Sequence, residues 1–261
     1  MLIDAHCHLN SLTDNISLKV ANWFKASGHK LVDSSIDLKT SQKSIQLSRK
    51  YSFVYNSLGF HPFFYDDFSN EIYRKYKEFL KVNDKIVALG EVGLDYKAKM
   101  PLNRQEEIFK RWVELAKENN ITILIHHRLN KESWYSNKYP NHPRILAILD
   151  QYFSNYQNIV FHCFSYSFEF LQQIIDKGGF VSFSLNLLRK NKKIIDSLKK
   201  CPFDNLLLET DSPYMKIGAE KSTPLDIESV YSYVAELRNI SKNELEDRIF
   251  LNVKKIFKKI R

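Results

Sequence analysis

Histidines and acidic residues recur in this sequence just after short apolar runs, and these residue types bind metal ions. His6 and His8 are two residues apart in D-A-H-C-H, and in extended backbone such a pair points to the same side. Two imidazoles on one side can bind one ion. Further residues of these kinds are His61 in G-F-H-P, Glu91 in G-E-V-G-L-D-Y, His126 and His127 in I-H-H-R, His162 in F-H-C-F-S and Asp211 in E-T-D-S-P-Y.

Imidazoles and carboxylates in this number are sufficient to bind two divalent ions. They suit Zn²⁺ and Mn²⁺, and carboxylates shift the preference toward Mg²⁺ or Mn²⁺. Glu91 has two oxygens and can bridge the ions, while Asp211 can accept a proton from a water. Two ions about 3.5–4 Å apart stabilise the attacking and leaving oxygens of a phosphoryl displacement. The expected ligands are His6, His8, Glu91 and Asp211 for one ion, and Glu91, His126 and His162 for the other.

Each of these signals has a structural alternative when it is taken alone. An H-x-H pair is often incidental, and a lone histidine after an apolar run often packs in the core. Glu91 and Asp211 are also suitable as helix N-caps. Cys7 and Cys163 flank predicted ligands, but we expect their side chains to point away from the site and to pack. These alternatives do not explain why five of eight predicted strand ends carry a ligand-type residue, so the sequence predicts a metal-dependent hydrolase.

The elements that must position these residues alternate between short apolar runs and longer amphipathic stretches. The predicted strands are Leu2–Ala5, Lys30–Ser34, Phe53–Ser57, Ile86–Gly90, Ile121–Ile125, Asn158–Phe161, Phe180–Phe183 and Leu206–Leu208. The predicted helices are Ser44–Arg49, Asn70–Lys81, Asn103–Glu118, Pro143–Tyr152, Phe168–Asp176, Lys192–Leu198, Ile227–Leu237 and Ser241–Lys259. Asn103 with Glu106, and Ser241 with Glu244, have the spacing of capping boxes at helix N-termini.

Repeated strand–helix units predict a parallel sheet, because a helix crosses over between successive parallel strands. Eight such units without a break in composition predict one α/β domain over residues 1–261, a (β/α)8 TIM barrel. The carboxyl ends of the strands then meet at one face, where the metal site would lie. A doubly wound open sheet is the alternative fold, although no G-x-G-x-x-G or Walker-type loop supports it.

Composition excludes several classes of protein. Hydrophobic residues make up 44% of the 261 residues and Gly and Pro number 7 each, which excludes disordered and collagen-like chains. The chain has no apolar run long enough to span a membrane and no signal peptide, so we expect a cytoplasmic protein. Three distant cysteines do not predict a disulfide framework. The formal net charge of +9 favours a polyanionic partner, and no feature indicates an obligate protein partner.

On these motifs the whole chain resembles the TatD family of metal-dependent deoxyribonucleases, in the amidohydrolase-like TIM-barrel superfamily. The motifs that carry the resemblance are I-D-A-H-C-H-L, G-F-H-P, G-E-V-G-L-D-Y, I-L-I-H-H-R, F-H-C-F-S and L-L-L-E-T-D-S-P-Y. By this resemblance His6, His8, Glu91, His126, His162 and Asp211 occupy the family's metal positions. His126 rather than His127 matches the ligand of the family motif I-H-x-R. His61 matches a pocket residue that contacts substrate or phosphate.

The resemblance implies a cytoplasmic 3′–5′ exonuclease that needs Mg²⁺ or another divalent ion and acts on single-stranded or frayed DNA ends. Asp211, Glu91 and His61 would be its catalytic residues. Three departures from the family bear on substrate binding. Tyr166 replaces a common glycine, Lys216–Pro224 replaces an Arg-rich stretch, and Arg128–His142 is longer than usual. In that long segment, the aromatic residues available to stack on bases or to pack on the barrel are Trp134, Tyr135 and Tyr139.

Two other functions remain open at the level of sequence. A metal-dependent hydrolase of the same superfamily can act on a small ester, lactone, amide or phosphoester, because metal-activated water serves all these reactions. A non-enzymatic nucleic-acid-binding module would use the net charge alone, but it leaves the aligned histidines and acids unexplained.

Overall fold

Eight parallel strands form the central sheet of the computed structural model, and they are hydrogen bonded in their order along the chain. The structure describes residues 1–138, 140, 142–217 and 220–260. The strands are β1 (Ile3–Cys7), β2 (Lys30–Ser34), β3 (Val54–Leu58), β4 (Ile86–Asp95), β5 (Thr122–Arg128), β6 (Ile159–Phe161), β7 (Phe180–Phe183) and β8 (Leu206–Leu208). A short antiparallel hairpin, β9 (Lys216–Ile217) with β10 (Glu220–Lys221), follows β8.

Helices follow the strands along the chain. They are α1 (Asp14–Ser27), α2 (Leu38–Lys50), α3 (Asn70–Val82), α4 (Leu102–Glu118), α5 (Arg144–Leu149), α6 (Phe168–Ile175), α7 (Lys192–Lys200), α8 (Ile227–Arg238) and α9 (Lys242–Ile256). This alternation of strand and helix confirms the predicted (β/α)8 barrel over the open sheet. Within the described ranges, no helix is both long and apolar enough to pass through a membrane.

The first and last strands meet at a seam that lies beside the predicted site. The backbone N–H of Asp211 donates to the carbonyl of His6 over 3.0 Å, and the N–H of His8 donates to the carbonyl of Ser212 over 2.7 Å. Deeper in the seam, the buried carboxylate of Asp4 accepts the backbone N–H of Thr210 over 2.9 Å. The chain segments that carry His6, His8 and Asp211 therefore close the barrel themselves.

Strand β4 is buried along its whole length, as expected of a parallel strand covered on both faces. The helices cover the outside with one apolar face each. Helix α4 buries Phe109, Trp112, Val113 and Ala116 at helical spacing. The interior of the barrel and most of the layer between sheet and helices form one large core, and a second, smaller cluster lies beside helix α1, around Val20 and Phe24.

Strands β4 and β5 extend further than the sequence predicts. They run on to Asp95 and Arg128, so Glu91 and His126 lie within strands rather than after them. Pairing continues because the register shifts between Leu89 and Val92, which restores the ladder at the level of the site. The ends of predicted strands are hard to locate when polar residues continue the pairing.

Two helix starts differ from the prediction. Helix α4 begins at Leu102 behind Pro101, so the predicted cap at Asn103 is wrong. Glu106 instead accepts Arg144 Nη1 over 2.6 Å, which joins α4 to the start of α5. Helix α2 begins several residues before the predicted Ser44, at a capping box formed by Asp37.

Helix α1 is absent from the predictions, because only Val20, Ala21 and Phe24 give it a buried apolar face. The predicted cap of α9 is confirmed, since Ser241 Oγ accepts the backbone N–H of Glu244 over 3.1 Å. The capping signal thus misplaced the start of α4 at Asn103 and located the start of α9 at Ser241 correctly.

Candidate metal centre

The structure places all the predicted site residues at the carboxyl end of the barrel, around one cavity of about 570 Å³. Five of these residues line the cavity, namely His61, Glu91, His126, His162 and Asp211. His6 and His8 lie fully buried below them, at the end of β1. Residues from strands far apart in sequence therefore share one pocket.

A first cluster consists of His6, His8 and Asp211, with one oxygen of Glu91. The two histidine Nε2 atoms lie 3.1 Å apart, and they lie 3.6 and 3.5 Å from Asp211 Oδ1. Glu91 Oε2 is 3.7 and 3.6 Å from the same two nitrogens. Four ligands at about 2.0–2.2 Å from a tetrahedral ion stand roughly 3.3–3.6 Å from one another. The spacing of this cluster fits one divalent ion.

The ring orientation of the two histidines also suits metal binding. His8 Nδ1 lies 2.8 Å from the carbonyl oxygen of Ser34, to which it donates its proton. His6 Nδ1 lies 3.0 Å from the hydroxyl of the same serine. A bonded Nδ1–H leaves the Nε2 lone pair free, which is the arrangement found around metal-binding histidines. In both rings that free nitrogen faces Glu91 and Asp211.

A second cluster forms around the other oxygen of Glu91. Glu91 Oε1 lies 2.6 Å from His126 Nδ1 and 2.8 Å from His162 Nε2. The two oxygens of one carboxylate thus face two different histidine pairs, His6 with His8 and His126 with His162. One carboxylate therefore contacts both halves of the site.

Two buried acids that the sequence analysis missed lie behind the second pair. Asp95 Oδ2 is 2.9 Å from His126 Nε2, and Glu209 Oε1 is 3.5 Å from His162 Nδ1. Asp95 is four positions after Glu91 on β4, and Glu209 is two positions before Asp211. Since side chains alternate along a strand, the even spacing from Glu91 is a signal that could have identified Asp95, whereas Glu209 lies after the end of β8 and no such pattern pointed to it.

The charges of the centre are arranged around Glu91. Burial alone would raise the pKa of Glu91, but the charge of His162 and the hydrogen bonds from His126 and His162 hold it well below its usual value. Burial would lower the pKa of His162, yet Glu91 and Glu209 raise it well above the ordinary range. Protonated imidazole here balances buried carboxylate, and a divalent cation supplies the same compensation. The donor set thus fits divalent metal ions in type and charge, and the first cluster also fits in spacing, whereas the second cluster is drawn together by hydrogen bonds.

His61 differs from the other histidines of the cavity. Its Nδ1 accepts the backbone N–H of Phe63 over 3.1 Å, so its Nε2 carries the proton and lies 3.6 Å from Glu91 Oε1. Burial, together with the nearby His126, lowers the pKa of His61 to about 3. A neutral ring with a protonated Nε2 is a hydrogen-bond donor toward the cavity rather than a metal ligand.

His127 borders the cavity, and its ring lies in an aromatic pocket. Its ring is 5.1 Å from Trp134, 4.7 Å from Tyr166 and 5.1 Å from Phe170, measured between centroids. Both ring nitrogens are buried without a hydrogen-bond partner among the described residues. Burial and the charge of His126 lower the pKa of His127 to about 3. His127 therefore packs rather than binding a ligand.

The two cysteines beside predicted ligands behave differently. Cys7 points away from the site, and its thiol donates to the carbonyl of Val32 over 3.6 Å. Cys163 lines the cavity, contrary to the prediction, with Sγ 3.2 Å from Ser184 Oγ. Its backbone has a φ of 47°, which interrupts the alternation of side chains on which the prediction rested.

Two of the three departures from the family pattern contribute to packing at the end of β5. Tyr166 OH donates to the carbonyl of His127 and accepts the N–H of Leu129, so it fastens the end of that strand. Trp134 packs on that tyrosine with centroids 5.0 Å apart, and Tyr135 is exposed. Neither Trp134 nor Tyr135 lines the cavity, and Tyr139 is outside the described residues.

The third departure, the Lys216–Pro224 stretch, includes the β9–β10 hairpin, and its Lys216 is exposed. Cationic side chains reach the cavity from other elements, with Arg128 at the end of β5 and Arg189 in the turn after β7. The sequence analysis missed both arginines as cavity residues, because nothing in the local sequence shows which basic side chains face one opening.

Comparison with known proteins shows which family the chain resembles. The family model described as TatD related DNase matches residues 3–258. The uncharacterized metal-dependent hydrolase YabD of Bacillus subtilis is 30% identical over 265 residues, which cover 99% of each chain. The uncharacterized metal-dependent hydrolase MJ1582 of Methanocaldococcus jannaschii is also 30% identical, over 98% of this chain and 97% of its own.

Solved structures agree at the level of the fold. The TatD homologue YjjV of Escherichia coli superposes with a TM-score of 0.84 at 22% identity and covers 98% of both chains. A TatD family hydrolase of Entamoeba histolytica gives a TM-score of 0.81 at 18% identity, over 99% of this chain and 98% of that one. Together with the family match along nearly the whole chain, these likenesses show that the chain belongs to the TatD family and is a metal-dependent hydrolase.

Proposed function

We propose that this protein hydrolyses phosphodiester bonds at the 3′ end of DNA, with two divalent ions held at the candidate metal centre. The observation that carries the proposal is the position of Glu91, whose two oxygens face two separate histidine pairs. Such a bridged pair of ions is suited to displacement at phosphorus, where both the attacking and the leaving oxygen need stabilisation. The family model, described as TatD related DNase, supports DNA as the substrate.

In this proposal His6, His8, Asp211 and Glu91 hold one ion, and Glu91, His126 and His162 hold the other. Bound divalent ions lower the pKa of water and offset the negative charge of the phosphate. Mg²⁺ or Mn²⁺ suits the carboxylates, and Zn²⁺ suits the imidazoles.

The chain itself supplies the proton transfers and the orientation of the substrate. Asp211, a member of the first cluster, would accept the proton of the attacking water and return it to the oxygen that leaves phosphorus. The neutral His61 ring donates its Nε2–H to a phosphate oxygen. Glu91 fixes the distance between the two halves of the centre. The net charge of +9 favours the approach of a polyanion.

The test uses purified protein with Mg²⁺ or Mn²⁺ and oligonucleotides labelled at the 3′ or the 5′ end. The wild type should release label from the 3′ end first, and His6→Ala and Glu91→Ala should each abolish the release. His142→Ala is the matched control, because His142 is exposed and pairs with Asp150 outside the cavity. Unchanged cleavage by the His6 or Glu91 variant would overturn the proposed centre.

The same assay separates DNA from the small substrates that the superfamily template also allows. Ester, lactone, amide and phosphomonoester substrates are tested beside the oligonucleotide at equal metal concentration. Faster turnover of a small carboxylic ester than of DNA would replace the nuclease by a small-molecule hydrolase while leaving the metal centre in place.

A further inference from the structure

The walls of the cavity carry large aromatic side chains that are unusually exposed. Phe63 is 47% exposed and Tyr214 is 53% exposed, although both line the cavity of the metal centre. The Phe63 ring lies edge-on to His61 with centroids 4.9 Å apart, and the Tyr214 ring lies edge-on to His8 at 4.7 Å. One ring thus stands beside each of two site histidines, with a face available to a ligand.

Positive charge on the same walls is incompletely paired. Arg189 is exposed and has no carboxylate within 4.0 Å in the part of the chain that the structure describes, its guanidinium lying 4.0 Å from Met215 Sδ. Arg128 is half-exposed, and its Nη1 lies 3.9 Å from Asp95. An arginine fork with free donors beside a phosphoryl-transfer centre can bind a further phosphate in bidentate fashion.

We propose that Phe63, Tyr214 and Arg189 form a subsite for the unpaired nucleotides next to the scissile phosphate. The two rings stack on bases, and Arg189 binds a neighbouring phosphate, with Arg128 as the second cation of the wall. This inference rests on the proposed function and identifies the residues that select its substrate. A ligand that uses both the exposed rings and the arginines must alternate flat rings with anionic groups, as a nucleic acid strand does. The bases of a duplex are paired and stacked, so they are not available to stack on Phe63 or Tyr214.

The cavity volume agrees with this assignment. Its volume of about 570 Å³ lies within the range of roughly 300–1,000 Å³ typical of small-molecule sites. A small neutral ester would fill part of this space and leave both guanidinium groups without a partner. A single-stranded end fills the cavity with one nucleotide and extends over its rim.

The experiment measures binding of metal-loaded protein to a fluorescent single-stranded oligothymidylate with phosphorothioate linkages, which resist cleavage. Phe63→Ala and Tyr214→Ala should each weaken binding about 5- to 150-fold, the range for loss of one base–aromatic stack. Arg189→Gln should reduce the slope of log affinity against log salt by about 0.7, the value for one phosphate contact on a single strand. A blunt duplex of the same length should bind more weakly than the single strand.

Matched controls come from the same chain. Val82→Ala removes an exposed apolar side chain outside the cavity, and Arg104→Gln removes an exposed arginine outside it. Both should bind the oligonucleotide like the wild type. If the three subsite variants also bind like the wild type, or if the duplex binds as tightly as the single strand, the subsite is wrong.

A parallel assay with bis(p-nitrophenyl) phosphate keeps the two proposals separate, because this diester has one phosphate and no base. If the wild type hydrolyses the diester and the subsite variants bind DNA normally, the proposed subsite is wrong and the proposed phosphodiesterase activity stands. If the variants lose DNA binding and the wild type hydrolyses neither substrate, the nucleotide subsite is supported and the proposed phosphodiesterase activity is wrong.

Discussion

At the scale of single residues, the two halves of the centre are related through the side chain of Glu91. The histidines around it differ in the group that is hydrogen bonded to the ring nitrogen facing away from Glu91. Ser34 serves both His6 and His8, whereas the carboxylate of Asp95 binds His126. A carboxylate behind a metal-binding histidine fixes the ring and strengthens it as a ligand. Asp95 is therefore a positioning residue for the second cluster.

The change Asp95→Asn tests this role. The amide oxygen of asparagine can still accept the backbone N–H of Lys97, which Asp95 Oδ1 binds over 2.8 Å, but the negative charge is lost. We expect the affinity for one of two Mn²⁺ ions to fall about 10- to 100-fold in calorimetric titration. Asp150→Asn, which alters a carboxylate paired with Lys177 outside the cavity, is the control. Equal affinities in both variants would contradict the role of Asp95.

His127 gives a prediction for the dependence of stability on pH. Its folded-state pKa of about 3 lies below the usual value of 6.5, so the unfolded chain binds more protons between these pH values. The folded state therefore loses stability as the pH falls through this window, and the contribution of His127 is fully restored above pH 6.5. His127→Phe keeps an aromatic ring and removes the proton.

We expect the free energy of unfolding of His127→Phe, relative to that of the wild type, to be about 1–2 kcal/mol higher at pH 5 than at pH 7.5, as measured by urea unfolding. His142→Phe is the control, since the His142 side chain is 42% exposed. A difference between variant and wild type that does not change with pH would show that the buried imidazole plays no part in acid unfolding.

Sequence alone predicted the residues with diagnostic side chains, which the structure brings together, and it did not predict the residues that lie beside them. His6, His8 and Glu91 were predicted from type and spacing, because imidazoles and carboxylates seldom follow several apolar runs by chance. Asp95 was overlooked, because an acid near a strand end is common and its partner, His126, is on another strand. Arg189 was overlooked for the same reason, since only the folded chain brings the turn after β7 to the cavity.

At the scale of elements, strand β4 positions the carboxylate of Glu91 through two close backbone contacts. A Cβ at Gly90 would lie 2.5 Å from the carbonyl oxygen of Leu124, and one at Gly93 would lie 1.8 Å from the carbonyl oxygen of His126. Gly93 also has a φ of 154°, which other residues rarely adopt. The G-E-V-G motif thus lets β4 and β5 approach closely on both sides of Glu91.

Gly93→Ala should therefore destabilise the protein by about 2–4 kcal/mol in urea unfolding and weaken Mn²⁺ binding, since β4 must move away from His126. Gly28→Ala provides the matched control, because Gly28 also has a positive φ but nothing within 4 Å of the added Cβ. Its cost should stay near 1 kcal/mol, the ordinary penalty for such a residue. Similar losses at both positions would mean that close approach of the strands is unimportant.

The alternation of strands and helices was predictable because each element has its own hydrophobic period. The first and last residues of the strands and helices were harder to predict. Helix α4 starts at Leu102 because Pro101 precedes it, whereas the cap signal at Asn103 was stronger in the sequence. Strand β5 continues through His126 to Arg128 because its neighbour β4 continues beside it.

At the scale of the whole molecule, the seam between β1 and β8 and the first cluster consist of the same residues. Asp211 bonds to His6 through the backbone and faces it through the side chain. An ion that binds this cluster therefore favours the closed barrel over any opened form. Metal binding and barrel closure are coupled by mass action.

Removal of metal should lower the thermal midpoint. An ion present at 100 times its dissociation constant adds about 2.7 kcal/mol, which corresponds to roughly 5–11 °C for a chain of this size. The measurement is thermal unfolding with saturating Mn²⁺ and with EDTA, for wild type and for His8→Ala. The variant should retain only the shift due to the second ion. If chelation leaves the midpoint unchanged, metal binding is not coupled to closure of the barrel.

The position of this seam has a consequence for protein synthesis. His6 emerges from the ribosome with the first strand, but its partner Asp211 follows the eighth. Because synthesis proceeds from the N-terminus, every interrupted product that stops before Asp211 has an incomplete first cluster. Such fragments lack the base that the proposed reaction needs, so under the proposed function an unfinished chain would not cleave nucleic acid.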